Sequence, residues 1–241
     1  MKILLSSYLY KPNIGGVENS IMYLSKALKE QGHEPIIIAS DYNQLEPSKR
    51  LLKQELIDGI QVYRFKSISK KNKLRVILNP VFCINRCAKL INTITKGQTD
   101  IIHLTRDYRN VIAHHQSLIK NTRCVYLVPS IFSELDAKFS NKGNSVIELF
   151  KKALITNQHI KMQKNAFCSA TENWVFSEKI SGLVKKISND KAIIKVVTPG
   201  IDSNVFQAIN QPIKLANKTK LGINPNKITC LCLGRFSKEK N

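Results

Sequence analysis

The sequence predicts an α/β fold: a doubly wound, mostly parallel sheet covered by helices. Three observations lead there. Short apolar runs alternate with amphipathic segments along most of the 241 residues. Gly, Pro and Asp-Gly fall where one pattern gives way to the next. Hydrophobic residues make up 43% of the chain, enough for a sizeable core, yet no run approaches the roughly 20 apolar residues that span a bilayer.

The elements follow in order. Residues 2–7 form a buried first strand. Residues 17–31 form a helix, with Ile21, Leu24, Ala27 and Leu28 on one face and Gly32 as its stop. Residues 35–40 are an apolar strand. Residues 53–58 and 60–66 pair around Asp58-Gly59, a hairpin signal. A helix starts at Pro80 and runs to 96, with Ile84, Cys87, Ala88, Ile91 and Ile94 as its apolar stripe and Arg86, Lys89 and Lys96 off it. A strand at 100–105, a helix at 107–120 and a strand at 123–129 come next. A long helix at 144–166, a short strand at 173–177, a helix at 178–188 and a strand at 192–198 complete the set. Ligands of such a sheet are expected at the carboxyl ends of its strands. Residues 201–226 read as a linker, with at most a short helix between 208 and 220. Residues 227–234 are apolar again and read as the first strand of a second domain, most of it lying beyond residue 241.

Charge and cysteines narrow the function classes. Thirty-eight Lys and Arg against 17 Asp and Glu leave +21, and residues 66–96 hold eight basic residues and no acidic one. Such a surface favours an anionic partner: nucleic acid, an anionic membrane or a phosphorylated substrate. No nucleic-acid motif and no aromatic-rich basic strand accompany the charge, so specific nucleic-acid binding is not expected. The N-terminus is too short in apolar residues for a signal peptide, which predicts a cytoplasmic protein. The six cysteines show no paired zinc spacing and read as reduced core residues; no metal is expected. Trp174 and His33 read as structural, and His114 and His115 as surface or packing residues.

The stretch "YKPNIGGVENS" carries Gly15-Gly16 between the first strand and the first helix. Glycine is costly to order, so the pair marks either a tight turn or a close approach of backbone to a ligand. The helix beginning there would aim its free N–H groups at an anion. Neither a dinucleotide fingerprint nor a P-loop is present.

The segments "PNIGGVE", "LSKALKEQGHEPIIIAS", "DIIHL", "NWVFSE", "VVTPGIDSNVF" and "CLCLGRFSKEK" occur in this order. Together they resemble the retaining glycosyltransferases of family 4, which have the two-domain GT-B fold. The resemblance covers essentially the whole chain. It implies that residues 1–200 are the Rossmann-like, acceptor-side N-terminal half, 201–226 the interdomain linker, and 227–241 the start of the nucleotide-sugar domain. It implies a nucleoside diphosphate sugar as donor substrate, a saccharide or lipid-linked acceptor, and neither cofactor nor metal. Arg235 and Lys240 would stabilise the leaving diphosphate, which Gly15 and Gly16 would approach from the other side. His103, and Thr105 where many members have a second histidine, would lie on the acceptor side. "YLVPSIF" has no histidine where many members carry one near the donor sugar, and the family's E-x7-E motif is expected in the second domain, beyond residue 241. The 241-residue chain alone is therefore expected not to transfer sugar. A folded non-catalytic remnant and a basic nucleic-acid-binding module are the competing readings.

Overall fold

The computed structural model describes residues 1–68, 73–131, 146–203 and 205–230, with backbone alone at 73–79 and 146–154. The chain divides into two compact units, Met1–Thr198 and Pro199–Asn241. In the first unit β1 (Lys2–Ser6), α1 (Gly16–Glu30), β2 (Glu34–Ser40), β3 (Gln54–Ile57), β4 (Ile60–Phe65), α2 (Lys73–Thr95), β5 (Ile101–Thr105) and α3 (Tyr108–His115) follow one another. Then come β6 (Arg123–Leu127), α4 (Val146–Ser169), β7 (Glu172–Val175), α5 (Glu178–Ser188) and β8 (Ile194–Val196). The eight strands form one sheet in the order β3-β4-β2-β1-β5-β6-β7-β8. Every pairing is parallel except β3 with β4.

The central strands read as continuous apolar runs because both of their faces are covered. Alternate residues feed two cores. Leu4, Ile36 and Ile38 meet residues of α2, α3, α4 and α5, while Ile3, Leu5, Ile37 and Ala39 meet Ile21 and its neighbours on α1. Among the described residues the winding is thus uneven: α2, α3, α4 and α5 lie over one face and α1 over the other. α1 stops as its sequence predicts. Gly32 has φ +77, its N–H reaches Lys29 O at 3.0 Å, and His33 N–H reaches Leu28 O at 3.0 Å, so the glycine and the histidine amide close the last turn. Asp58 and Gly59, both at positive φ, make the two-residue turn between β3 and β4.

Several boundaries differ from expectation, two of them by five residues or more. α2 starts at Lys73, so Pro80 lies inside the helix rather than at its head. The missing N–H is tolerated because Cys83, Ile84, Cys87, Ala88 and Ile91 are all buried, and core packing outweighs local propensity. α3 ends at His115 rather than at residue 120. In the second unit α6 (Gln211–Lys220) is capped by the Asn210 side chain, which accepts from Ile213 N–H at 3.1 Å. Residues 227–230 form no strand; the rest of the strand expected there, with Gly234, lies outside the described residues.

Candidate functional site

β1 lies between β2 and β5, so the chain leaves β1 toward one side of the sheet and returns on the other at β5. This reversal opens a crevice at the carboxyl ends of β1 and β5, where open parallel sheets bind their ligands. The loop after β1, residues 7–15, forms one wall. Asn13 braces it: its Nδ2 donates to Tyr10 O and Tyr42 O, both at 3.0 Å, and its Oδ1 accepts from Gln44 N–H at 2.6 Å. Buried Arg64 donates to Lys11 O at 2.6 Å. Gly15 is the N-cap of α1 in extended backbone and offers no side-chain cap. A Cβ on Gly15 would collide with the Glu18 carboxylate, which folds back over the first turn; a Cβ on Gly16 would meet no described atom within 4 Å beyond its chain neighbours and its own helix backbone. Space, not backbone strain, is what Gly16 leaves open.

The second wall is the turn after β5. Asp107 caps α3 by accepting from Arg109 N–H at 2.9 Å, and its carboxylate also holds the Arg109 guanidinium at 2.5 Å. Arg109 stacks over the Tyr8 ring at 4.1 Å. Tyr108 O–H meets His159 of α4. Arg106 turns the other way: its Nη1 donates to Ser20 of α1 at 2.7 Å, and its guanidinium faces the Phe176 ring at 5.3 Å. The motif reading passed over Arg106 and Asp107, although their place directly after a strand's carboxyl end is the signal that finds them.

The sequence profile of glycosyltransferase family 4 matches residues 14–204, most of the chain. The chain belongs to glycosyltransferase family 4. No curated protein matches it. Among solved structures, sucrose-phosphate synthase from Thermosynechococcus elongatus is similar at 11% identity and TM-score 0.61, over 92% of this chain and 52% of that one. Anabaena HepE in complex with UDP and glucose is similar at 16% identity and TM-score 0.53, over 92% of this chain and 50% of that one. The catalytic domain of starch synthase IV from Arabidopsis thaliana, bound to ADP and acarbose, gives 15% and 0.53 over 91% and 58%. At these identities the likeness establishes the fold, a GT-B half, and the chain spans about half the length of each of these structures.

Within this family 4 chain the expected site residues fall into three groups. Gly15 and Gly16 stand at the crevice. His103 and Thr105 lie on β5 but are fully buried. The Thr105 hydroxyl shares its one proton between Ser6 O and Asp107 O and accepts from Asp107 N–H, which shapes the turn beneath the second wall. His103 is part of a chain of hydrogen bonds. His114 Nε2 faces Thr122 O at 3.3 Å and must donate, so its Nδ1 carries a lone pair. His103 therefore donates Nδ1–H to it at 3.2 Å, and its own Nε2 accepts from Ser6 O–H at 2.8 Å. His103, His114 and Cys124 bring one donor atom each within 4.8 Å of one another and are the described residues that could ligate an ion. Burial pushes the Cys124 thiol up to about 12, and the relay engages every ring nitrogen without an ion. Arg235 and Lys240 lie outside the described residues.

Proposed function

We propose that this chain is the acceptor-side half of a retaining hexosyltransferase that moves sugar from a nucleoside diphosphate donor to a saccharide or lipid-linked acceptor. The observation that carries the reading is the place of Gly15-Gly16. An uncapped helix N-terminus with open space at Gly16 stands at the sheet's switch point, in a chain of glycosyltransferase family 4. The nucleotides named in the solved relatives, UDP and ADP, support a donor of that class. As the glycosidic bond to the donor breaks, negative charge grows on the leaving diphosphate, and fixed N–H donors and cations lower the barrier. The first-turn N–H groups of α1 supply donors from this domain. Arg235 and Lys240 would supply the cations, as the family resemblance implies, without a metal. Polysaccharide, lipopolysaccharide or glycolipid assembly at the inner face of the cell membrane is the setting that suits so basic a surface.

The test measures release of nucleoside diphosphate from a panel of UDP-, ADP- and GDP-sugars. The 241-residue chain alone is expected to show none. Joined in one polypeptide to a nucleotide-binding GT-B domain, it is expected to transfer with retained anomeric configuration. Gly16→Val should cut that transfer at least about a hundredfold, the scale of losing oxyanion-type donors, while the melting temperature stays unchanged. Turnover by the chain alone, an inverted product, or a wild-type rate in Gly16→Val overturns the reading.

A further inference from the structure

The molecule's buried arginines divide into two kinds. Arg64 is held by Glu55 at 2.5 Å and Arg109 by Asp107 at 2.5 Å. Arg106 is half-buried, yet no carboxylate among the described residues comes within ion-pair distance of it. Among the described residues its side-chain contacts are a serine hydroxyl and an aromatic face, and none of them partners its Nε–H. Tyr126 and Glu18 act on it only through their charge. Withdrawing even part of a guanidinium from water without a counter-ion is costly. Burial accordingly lowers the tendency of Arg106 to hold its proton. A chain that spends basic residues freely on its surface has no structural need for a cation here, and a leucine would pack between Ser20 and Phe176 at less cost.

The cation's position gives it a use. Arg106 follows β5 at the crevice, its backbone N–H bonded to Ser6 O at the end of β1 at 2.9 Å, and it reaches across to the second turn of α1. It thus sits on the wall opposite the Gly15-Gly16 loop. We propose that Arg106, steadied by Ser20 and Phe176, binds a phosphate group of the substrate. A guanidinium matches phosphate through paired N–H donors, and the hydrogen bond to Ser20 and the Phe176 ring hold its plane before the ligand arrives. The inference deepens the transferase reading and rests on it for the word substrate; phosphate binding itself does not depend on turnover. The phosphate can come from the donor's diphosphate or from a phosphorylated acceptor, and the experiment separates them.

The full 241-residue chain is titrated calorimetrically with glycerol phosphate, glucose 1-phosphate and UDP. Arg106→Gln is expected to weaken binding at least tenfold, and Arg106→Lys, which keeps the charge but loses the fork, by less. Loss confined to the monoesters assigns the phosphate to the acceptor; loss confined to UDP assigns it to the donor. Both outcomes require an unchanged circular dichroism spectrum, and Arg106→Lys serves where Arg106→Gln does not fold. Equal binding of all three ligands by folded wild type and Arg106→Gln, or no binding by wild type, overturns the proposal. The two readings fail separately: Arg106-dependent phosphate binding, with no transfer by the chain joined to a nucleotide-binding GT-B domain, would sink the transferase reading alone.

Discussion

His103 and His114 show how a single residue type can organise the site without touching it. The relay from Ser6 through both imidazoles to Thr122 O ties β1, β5 and α3 together beneath the crevice, and it tolerates one protonation pattern. A proton on His114 Nδ1 would face the Nδ1–H of His103. Burial pulls His114 down to about 4 from its ordinary 6.5, and burial with the neighbouring His114 lowers His103 well below that value. In the unfolded chain both titrate near 6.5. The unfolded state therefore binds more protons as pH falls from about 6.5 toward about 4, and stability is lost across that window. The His114 shift alone is worth on the order of 3 kcal/mol. Urea midpoints measured between about pH 7 and about pH 4.5 should fall accordingly. His114→Gln should be less stable at neutral pH but show a flatter dependence. A wild-type midpoint that stays level between those pH values would mean that the imidazoles are not locked neutral.

Among elements, the β3–β4 hairpin is the sheet's antiparallel edge, and one ion pair fastens it to the site. Arg64 on β4 has a side chain with no solvent exposure; it donates through Nε and Nη2 to Glu55 of β3 and through Nη2 to Lys11 O in the loop after β1. Glu55→Ala would leave that guanidinium buried with a backbone carbonyl for company, at a cost of about 3–5 kcal/mol, whereas replacing both partners with Leu and Met should restore much of it. A double-mutant cycle in urea reads the difference; additive losses would show that the pair acts as two independent residues. Hairpin and strand alternation were legible in the sequence because they are local: Asp58-Gly59 dictates the turn, and apolar runs dictate buried strands. α2 was legible only in part, since its first turns precede a proline that local pattern takes for a helix start. The candidate site was legible where a motif marked it, at Gly15-Gly16. The contacts of Arg106 and the pairing of His103 with His114 were not, because each depends on partners that only the strand order brings beside it. Local pattern carries no record of that order.

For the whole molecule, the +21 charge acts through its distribution. α2, α3, α4 and α5 lie over one face of the sheet, and the outer surface of that layer carries exposed Lys89 on α2 and exposed Lys161 and Lys164 on α4. Val81 and Phe82 are 41% and 43% exposed on α2, with the Arg86 guanidinium 5.9 Å from the Phe82 ring centre. Apolar side chains flanked by basic ones suit the boundary between anionic headgroups and acyl chains. No described helix is long and apolar enough to cross a membrane, so any attachment through these helices would be at the surface. Each Lys or Arg near an anionic surface contributes about 1 kcal/mol, and the attraction fades beyond a Debye length of about 8 Å at physiological salt. The chain should therefore sediment with phosphatidylserine-containing vesicles and far less with purely zwitterionic ones, and added salt should release it. Reversing Lys89, Lys161 and Lys164 to Glu should abolish sedimentation, while Phe82→Ala should weaken it at every salt concentration, because its contribution is apolar. Equal sedimentation with both vesicle types would remove the membrane from the proposed setting and leave the phosphate-bearing substrate as the anion that the charge serves.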